Sequence, residues 1–302
     1  MTYLITGATG FIGRPLVGRL LLAGHSVAYL SRRRNPRMDT RAAFFLWSDP
    51  ADVLPPLETI PRIDAIVHLA GEPVAQLWTP AAKGRIYSSR VMATHRLVEA
   101  IGKLKHRPKI LIAASATGYY GHRGDLVLSE DSPAGHGFLP DLCTEWEHEA
   151  NLARRFGVNV VHVRIGIVLG PGGALRKMLP PFRWGLGGRL GTGRQWMSWI
   201  HRDDLLRLFE FTLSRNGMPD TLNGTAPNPV TNAEFTQTLA RTLSRPAILP
   251  VPRFGLKAVF GEMAEVLLAS NRVIPAAAKE AGFSFEYNHL EDALRHILER
   301  PA

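Results

Sequence analysis

Tyr3-Leu4-Ile5-Thr6-Gly7-Ala8-Thr9-Gly10-Phe11-Ile12-Gly13 is the stretch on which the fold turns. Its apolar start reads as a buried strand, and Phe11, Ile12, Pro15, Leu16, Val17, Leu20, Leu21 and Leu22 follow at helical spacing. Between them stand three glycines, each three residues from the next. Strand, tight turn and helix start in this order form the arrangement that holds a dinucleotide pyrophosphate on backbone N–H groups. Gly7 permits the turn, Gly10 lets the pyrophosphate approach the backbone, and Gly13 lets the helix lie close on the strand. Thr9, Phe11 and Ile12 complete the expected cofactor-binding turn.

The rest of the chain supports such a fold. At 302 residues, 45% hydrophobic and 21% charged, it is long enough to bury a full core. It has no run of about 18 apolar residues, and the first strand begins at residue 2, so no membrane span or signal peptide is expected and a cytoplasmic location is. The single cysteine, Cys143, excludes an internal disulfide and has no Cys or His at metal-ligand spacing; no metal is expected. The net charge of +10 invites a nucleic-acid reading. Only seven of the 36 basic residues are lysines, however, and the one cluster, Arg32, Arg33, Arg34, Arg37 and Arg41, lacks interleaved aromatic residues for base stacking. No nucleic-acid partner is expected.

Further strands are predicted at 26–31, 44–47, 64–71, 109–114 and 158–165, separated by helices at about 80–103 and 139–156. Strands alternating with helices imply an α/β fold with a Rossmann-type, doubly wound parallel sheet. Residues 1–170 make the dinucleotide-binding domain, its sheet completed by parts of 171–230. Residues 171–302 form a smaller, mostly helical substrate lobe that includes a helical module at 248–298. Within it helices are expected at 203–213, 232–243, 254–269, 275–281 and 290–298, and the Gly/Pro-dense stretch 171–193 reads as irregular.

NAD-preferring folds carry an acidic residue at the end of the second strand for the ribose hydroxyls. Here that place holds Ser31, Arg32, Arg33 and Arg34. A hydroxyl and guanidiniums suit a 2′-phosphate, so NADP(H) is the expected cofactor, with Arg32 nearest the strand end.

The G-x-x-G-x-x-G turn, His68-Leu69-Ala70-Gly71 and the strand ending at Ser115 resemble an extended short-chain dehydrogenase/reductase, the superfamily of the nucleotide-sugar epimerases. Closer still is its "epimerase family protein" group. That resemblance rests on Leu69-Ala70-Gly71-Glu72-Pro73, Ser89-Arg90, Ser115-Ala116-Thr117-Gly118-Tyr119-Tyr120-Gly121, Trp146-Glu147, residues 181–205 and Asn223-Gly224-Thr225-Ala226-Pro227-Asn228-Pro229. It covers essentially the whole chain. It implies bound NADP(H), with Leu69, Ala70, Gly71, Arg90 and Ile167 near the cofactor, and a small-molecule substrate such as a nucleotide sugar or another carbonyl or carbinol compound. It specifies no oligomeric state.

The superfamily's chemistry uses a Ser with a Tyr-x-x-x-Lys, in which Tyr exchanges the hydroxyl proton and Lys lowers its pKa. Counted back from Gly157 and Arg164, that slot falls near 138–143, where Phe138-Leu139-Pro140-Asp141-Leu142-Cys143 offers neither group. Ser115 is near the serine position, Tyr120 is the chosen surrogate proton donor or else an aromatic wall, and Arg90 supplies a cation or holds a phosphate. Glu72 and Glu147 are carboxylate bases or structural groups. Tyr119, Trp196, Trp199 and His201 are expected to line the substrate cleft, with Trp184, Trp196 and Trp199 on a mobile Gly-rich loop and Asp203 capping the helix that follows. Two functions remain open: an NADP(H)-dependent oxidoreductase or epimerase, and a cofactor-binding protein without turnover.

Overall fold

The computed structural model describes residues 1–299. Its first half alternates strand and helix: β1 (Thr2–Thr6), α1 (Gly13–Leu22), β2 (Ser26–Ser31), β3 (Ala43–Leu46), β4 (Ala65–His68), α2 (Pro80–Tyr87), α3 (Ala93–Lys103), β5 (Ile110–Ala116) and, after a two-residue β6 (Val127–Leu128), α4 (Phe138–Asn151) and β7 (Asn159–Ile165). Later come β8 (Ile167–Leu169), α5 (Gly173–Arg183), β9 (Trp196–Met197), β10 (Trp199–His201), α6 (Arg202–Ser214), β11 (Thr221–Gly224), β12 (Val230–Thr231) and α7 (Asn232–Thr242). The C-terminal elements are α8 (Arg253–Phe260), α9 (Met263–Leu268), β13 (Arg272–Val273), α10 (Ala276–Glu280) and α11 (Leu290–Glu299).

Seven strands form one sheet in the order β11-β7-β5-β4-β1-β2-β3, every pairing parallel. Buried on both faces, these strands need apolar residues at successive positions, and the two-residue period divides them. Tyr3, Ile5, Ala65, Val67 and Val161 point to the face covered by Leu16, Val17 and Leu20 of α1 and Leu205, Leu208 and Phe209 of α6. Leu4, Ile66, Leu111 and Val160 point to the other, where α3 supplies Leu97, Val98 and Ile101. Each fully buried Leu, Ile or Val side chain contributes about 1.5–3 kcal/mol. From β1 the strand order runs outward to β3 on one side and, starting with β4, to β11 on the other, so the switch point where open α/β sheets bind ligands lies at the glycine turn.

The edge strand β11 and the sheet-covering helix α6 both come from beyond residue 200, so the sheet layer draws on residues well past 170. A separate core joins Leu175 and Phe182 of α5, Phe235 and Leu239 of α7, and Leu290 and Leu294 of α11 around Trp199. It is tied to the sheet by Asp204, whose buried carboxylate accepts the N–H groups of Glu286 and Tyr287, both at 2.9 Å.

Three expectations need correction. The stretch 171–193 contains the helix α5 despite Pro180 and Pro181, because prolines in the last turn remove few hydrogen bonds and the apolar face of Leu175 and Phe182 is buried. The helix expected over 254–269 is two, α8 and α9, divided at Gly261, whose φ of 56° is left-handed. The long helix from 80 to 103 contains a π-helical turn at Ser88–Met92.

Candidate functional site

The turn after β1 is formed by contacts that only glycine allows. Gly7 has φ 66°, and a Cβ there would lie 2.6 Å from the Leu69 carbonyl. At Gly13 a Cβ would lie 2.3 Å from the Gly7 carbonyl oxygen, so the first turn of α1 sits directly on the glycine turn. The register pairs Thr6 with Leu30 on one side and with His68 on the other, so Ser31 and Leu69 are level with Gly7. Thr6 Oγ1 accepts the N–H groups of Leu69 and Ala70, each at 3.2 Å, and fixes that loop against the turn. The His68 ring is held between Thr6 Oγ1 (2.6 Å) and Thr94 Oγ1 (3.0 Å); burial, aided by the Arg90 charge, pushes its pKa down to about 4.

The Phe11 ring faces the turn after β8, where Cβ atoms at Gly170, Gly172 and Gly173 would stand 2.7–2.9 Å from it. Arg202 reaches the same place. Its guanidinium lies 5.4 Å from the Phe11 ring centre, and its buried Nε, without a hydrogen bond among the described residues, has the Asp203 carboxylate 3.7 Å away. Spacing along the chain assigns Arg202 no role, since its proximity to Phe11 is purely tertiary. Arg32, Arg33 and Arg34, beyond β2, are exposed, and none forms an ion pair among the described residues. Ile167 opens β8 opposite Trp199, partly exposed. Glycine cradle, helix start and unpaired arginines together fit a dinucleotide with an additional phosphate.

Across the cleft, Ser115 is the last residue but one of β5, and α4 runs behind it. The Ser115 hydroxyl donates to Glu147 Oε1 at 2.6 Å, and the Glu147 carboxylate is held bidentately by Arg164 at 2.9 and 2.8 Å. Burial works against the Arg164 charge, but the hydrogen bonds and field of Glu147 outweigh it and raise its pKa. Glu147 is therefore a fixed, paired anion that orients Ser115. Four residues apart on α4, Leu139 packs at Gly118, where a Cβ would meet it at 3.3 Å, and the Cys143 thiol lies beside Ser115. Burial first, then the Glu147 charge, pushes the thiol pKa up to about 12.

Tyr120 does not reach this cleft. It is 0% exposed, donates its hydroxyl to Asn223 Oδ1 at 2.8 Å and accepts from Arg164 at 3.1 Å. Burial pushes its pKa up to about 12, so the expected proton donor is a core residue. Tyr119 is partly exposed, with the Arg164 guanidinium 3.4 Å from its ring centre.

The cation of the site is Arg90. It projects from the π-helical turn, a local irregularity that recurs at functional positions because it re-aims a side chain. Its guanidinium lies against Gly71, where a Cβ would be 3.0 Å from Cζ, and 5.2 Å from the Trp146 ring centre. Nη1 donates to the Glu72 carbonyl oxygen at 2.9 Å; Nε and Nη2 have no hydrogen-bond partner among the described residues. Burial lowers its pKa, while Cys143 and Glu72 act in the opposite sense. The Glu72 carboxylate turns away, toward Gln76 at 3.3 Å and Arg85 at 3.9 Å.

Other expected cleft residues are placed elsewhere. Trp199 is 0% exposed in the helical core and donates to the Asn228 carbonyl at 3.0 Å. His201 is buried, stacks on Tyr287 with ring centres 3.8 Å apart and caps α6 by accepting the Asp203 N–H, so the cap is His201 and not Asp203. His201, Asp203 and His296 bring donor atoms within 4.8 Å of one another, a grouping no spacing along the chain revealed. Trp196 is half-buried, donating to Asp125 at 2.8 Å under the Arg272 guanidinium. Trp184 is 81% exposed at the end of α5. Beyond Asp125 a cavity of about 650 Å³ is rimmed by Arg189, Arg194 and Arg253.

Residues 3–223 match the NAD dependent epimerase/dehydratase family, and residues 251–297 a domain of unknown function, DUF1731. The chain belongs to the NAD dependent epimerase/dehydratase family. Within that family it is 42% identical, over 99% of its own length and 87% of the relative's, to a chloroplastic epimerase family protein SDR39U1 homolog of Arabidopsis thaliana. It is 38% identical to the epimerase family protein YfhF of Bacillus subtilis, covering 99% and 98% of the two chains. Human epimerase family protein SDR39U1, crystallised with NADPH, superposes with a TM-score of 0.90 at 36% identity over the whole of both chains.

Proposed function

We propose that this family member is an NADP(H)-dependent oxidoreductase that works in the direction of carbonyl reduction and uses Arg90 where its superfamily uses Tyr and Lys. The observation that carries the proposal is the Arg90 guanidinium, half-buried, without a carboxylate partner and beside both Ser115's neighbour Cys143 and the glycine-turn loop at Gly71. Binding of NADPH by the human relative supports the cofactor, as do the glycines and Arg32. Gly7, Thr9, Gly10, Phe11, Ile12 and Gly13 would hold the pyrophosphate, and Ser31 and Arg32 the 2′-phosphate. When bound, the cofactor supplies a hydride.

Arg90 can stabilise negative charge developing on a substrate oxygen, because a half-dry guanidinium acts more strongly there than in water. Ser115, its proton committed to Glu147, offers lone pairs to a substrate hydroxyl or to water. Neither group is a base able to take a proton from an alcohol at neutral pH, which disfavours epimerisation and favours reduction with the proton drawn from solvent. The arginines around the 650 Å³ cavity favour an anionic substrate such as a nucleotide sugar. The proposed location is cytoplasmic. Among the described residues no helix is long and apolar enough to cross a membrane.

One observation favours a second reading, a cofactor-binding protein without turnover: residues 138–143, near the expected slot of the acid–base pair, offer neither Tyr nor Lys, and Tyr120 is sealed in the core. NADPH oxidation with a panel of aldehydes, ketones and keto-sugar nucleotides separates the two. Turnover with any class is the expected result; tight NADPH binding with no turnover across the panel favours the second reading.

A further inference from the structure

The helical lobe presents an apolar surface that the proposed reaction does not use. Trp184 and Ile248 are each 81% exposed and Phe254 is 78% exposed, with Leu186, Leu249 and Val259 also open to solvent. They belong to one region. The 184–190 segment runs beside 246–251 through a Leu190–Val251 bridge, a Gly188 contact on the Leu249 backbone and a Gly185 contact on Pro246. The helix α8 continues directly from it and buries only Leu256, leaving Phe254, Val259 and Phe260 outward beside Arg253 and Lys257. Large apolar side chains this exposed and this close together mark an interaction surface.

Charge identifies the partner. No Asp or Glu occurs between Glu149 and Asp203 or between Glu234 and Glu262, the two stretches that contain this surface. Arg183, Arg189, Arg245, Arg253 and Lys257 are all exposed around the apolar residues, Arg189 and Arg253 also bordering the cavity, and among the described residues only Lys257 of these forms an ion pair, with Glu265 at 3.6 Å. A second copy of the chain would bring together two faces in which arginines outnumber the acids at the edge, Glu262 and Glu265, and would be repelled. Aromatic and aliphatic side chains ringed by Lys and Arg are instead the composition of segments that lie in a bilayer interface, apolar groups among the acyl chains and cations at anionic headgroups. We propose that this face, with α8 as its interfacial helix, docks the protein on the surface of an anionic lipid bilayer. The lack of a spanning helix does not bear on a surface that lies on the membrane without crossing it.

The full chain, mixed with phosphatidylcholine vesicles containing about 30% phosphatidylglycerol, is expected to co-sediment with them and to partition at least tenfold less onto pure phosphatidylcholine vesicles. Trp184 reports insertion: its emission shifts to the blue on binding, and Trp184→Phe removes that shift. The pair Phe254→Ser and Val259→Ser, both at exposed positions, is expected to reduce partitioning about tenfold while leaving the melting temperature unchanged. Failure to bind the anionic vesicles overturns the proposal, as does binding that these substitutions and Trp184→Phe leave untouched. Sedimentation equilibrium is the control for self-association. A stable dimer dispersed by Phe254→Ser would assign the face to a second copy and likewise overturn it. NADPH binding is independent of this readout, so failure here leaves the proposed reaction standing.

Discussion

At the β1–α1 end of the cleft the backbone forms the site, with Gly7 and Gly13 so close to their neighbours that a methyl group on either would collide. At the β5–α4 end side chains form it, and they lock one another: Ser115 to Glu147, Glu147 to Arg164, Arg164 to Tyr120, Tyr120 to Asn223. The first end leaves room for a ligand and unpaired cations around it. The second end is buried, interlocked structure, and beside it Arg90 keeps donors still to give. The glycine turn is thus present in a chain whose residues 138–143 carry neither the Tyr nor the Lys of the superfamily's proton exchange.

The difference can be tested from both sides, and the largest effect is expected in the locked network. Glu147→Ala leaves Arg164 buried without its carboxylate and should cost about 3–5 kcal/mol in urea unfolding; a loss below about 1 kcal/mol would mean that the network is not structural. Gly13→Ala drives a Cβ into the Gly7 carbonyl. It should weaken NADPH about 100-fold in a fluorescence titration, equivalent to nearly 3 kcal/mol, with a smaller fall in melting temperature.

Acidification probes the buried His68. Its folded pKa, about 4, lies below the ordinary value of 6.5, so the unfolded chain binds more protons between those limits. The stability contributed by neutral His68 is fully present above pH 6.5 and is lost as pH falls toward 4. Between pH 7 and pH 5 the loss should be about 2 kcal/mol, reduced in His68→Gln; a pH-independent stability over that range would refute it. Arg32→Ala should weaken NADPH about tenfold and leave NADH unchanged, the expected loss of a charge-assisted hydrogen bond worth about 1.5 kcal/mol. Equal losses for both cofactors would remove the 2′-phosphate assignment. Least affected of all should be Tyr120→Phe, costing about 1 kcal/mol of stability and less than a factor of about two in turnover.

Periodicity made the sheet legible. β2 matched its expected bounds and β5 and β7 came within two residues, because strands buried on both faces carry continuous Val, Ile and Leu runs. The glycine turn was legible because backbone geometry permits few residues there. α5 was not, since Pro180 and Pro181 argue against a helix unless the burial of Phe182 is known. The π-helical turn at Arg90 leaves no mark in composition. Trp199 was expected in the cleft from its Gly-rich surroundings and His201 from its place before a helix, and only tertiary packing shows that Trp199 fills a core and His201 caps a helix. No role for Arg164 or Arg202 was legible, because each matters through a residue distant in sequence, Glu147 for one and Phe11 for the other.

The central claim is that Arg90, and not Tyr120, serves the chemistry beside the cofactor. Its most direct test is steady-state NADPH oxidation, with whichever carbonyl substrate the wild-type protein accepts, in Arg90→Ala and Tyr120→Phe side by side, each checked for NADPH affinity. Arg90→Ala should lower kcat by about 100-fold or more with NADPH affinity within about threefold of wild type, the loss expected on removing a charge-stabilising group. Tyr120→Phe should keep most of its activity. A Tyr120→Phe protein that binds NADPH but is inactive, beside an Arg90→Ala protein that turns over normally, would contradict the account.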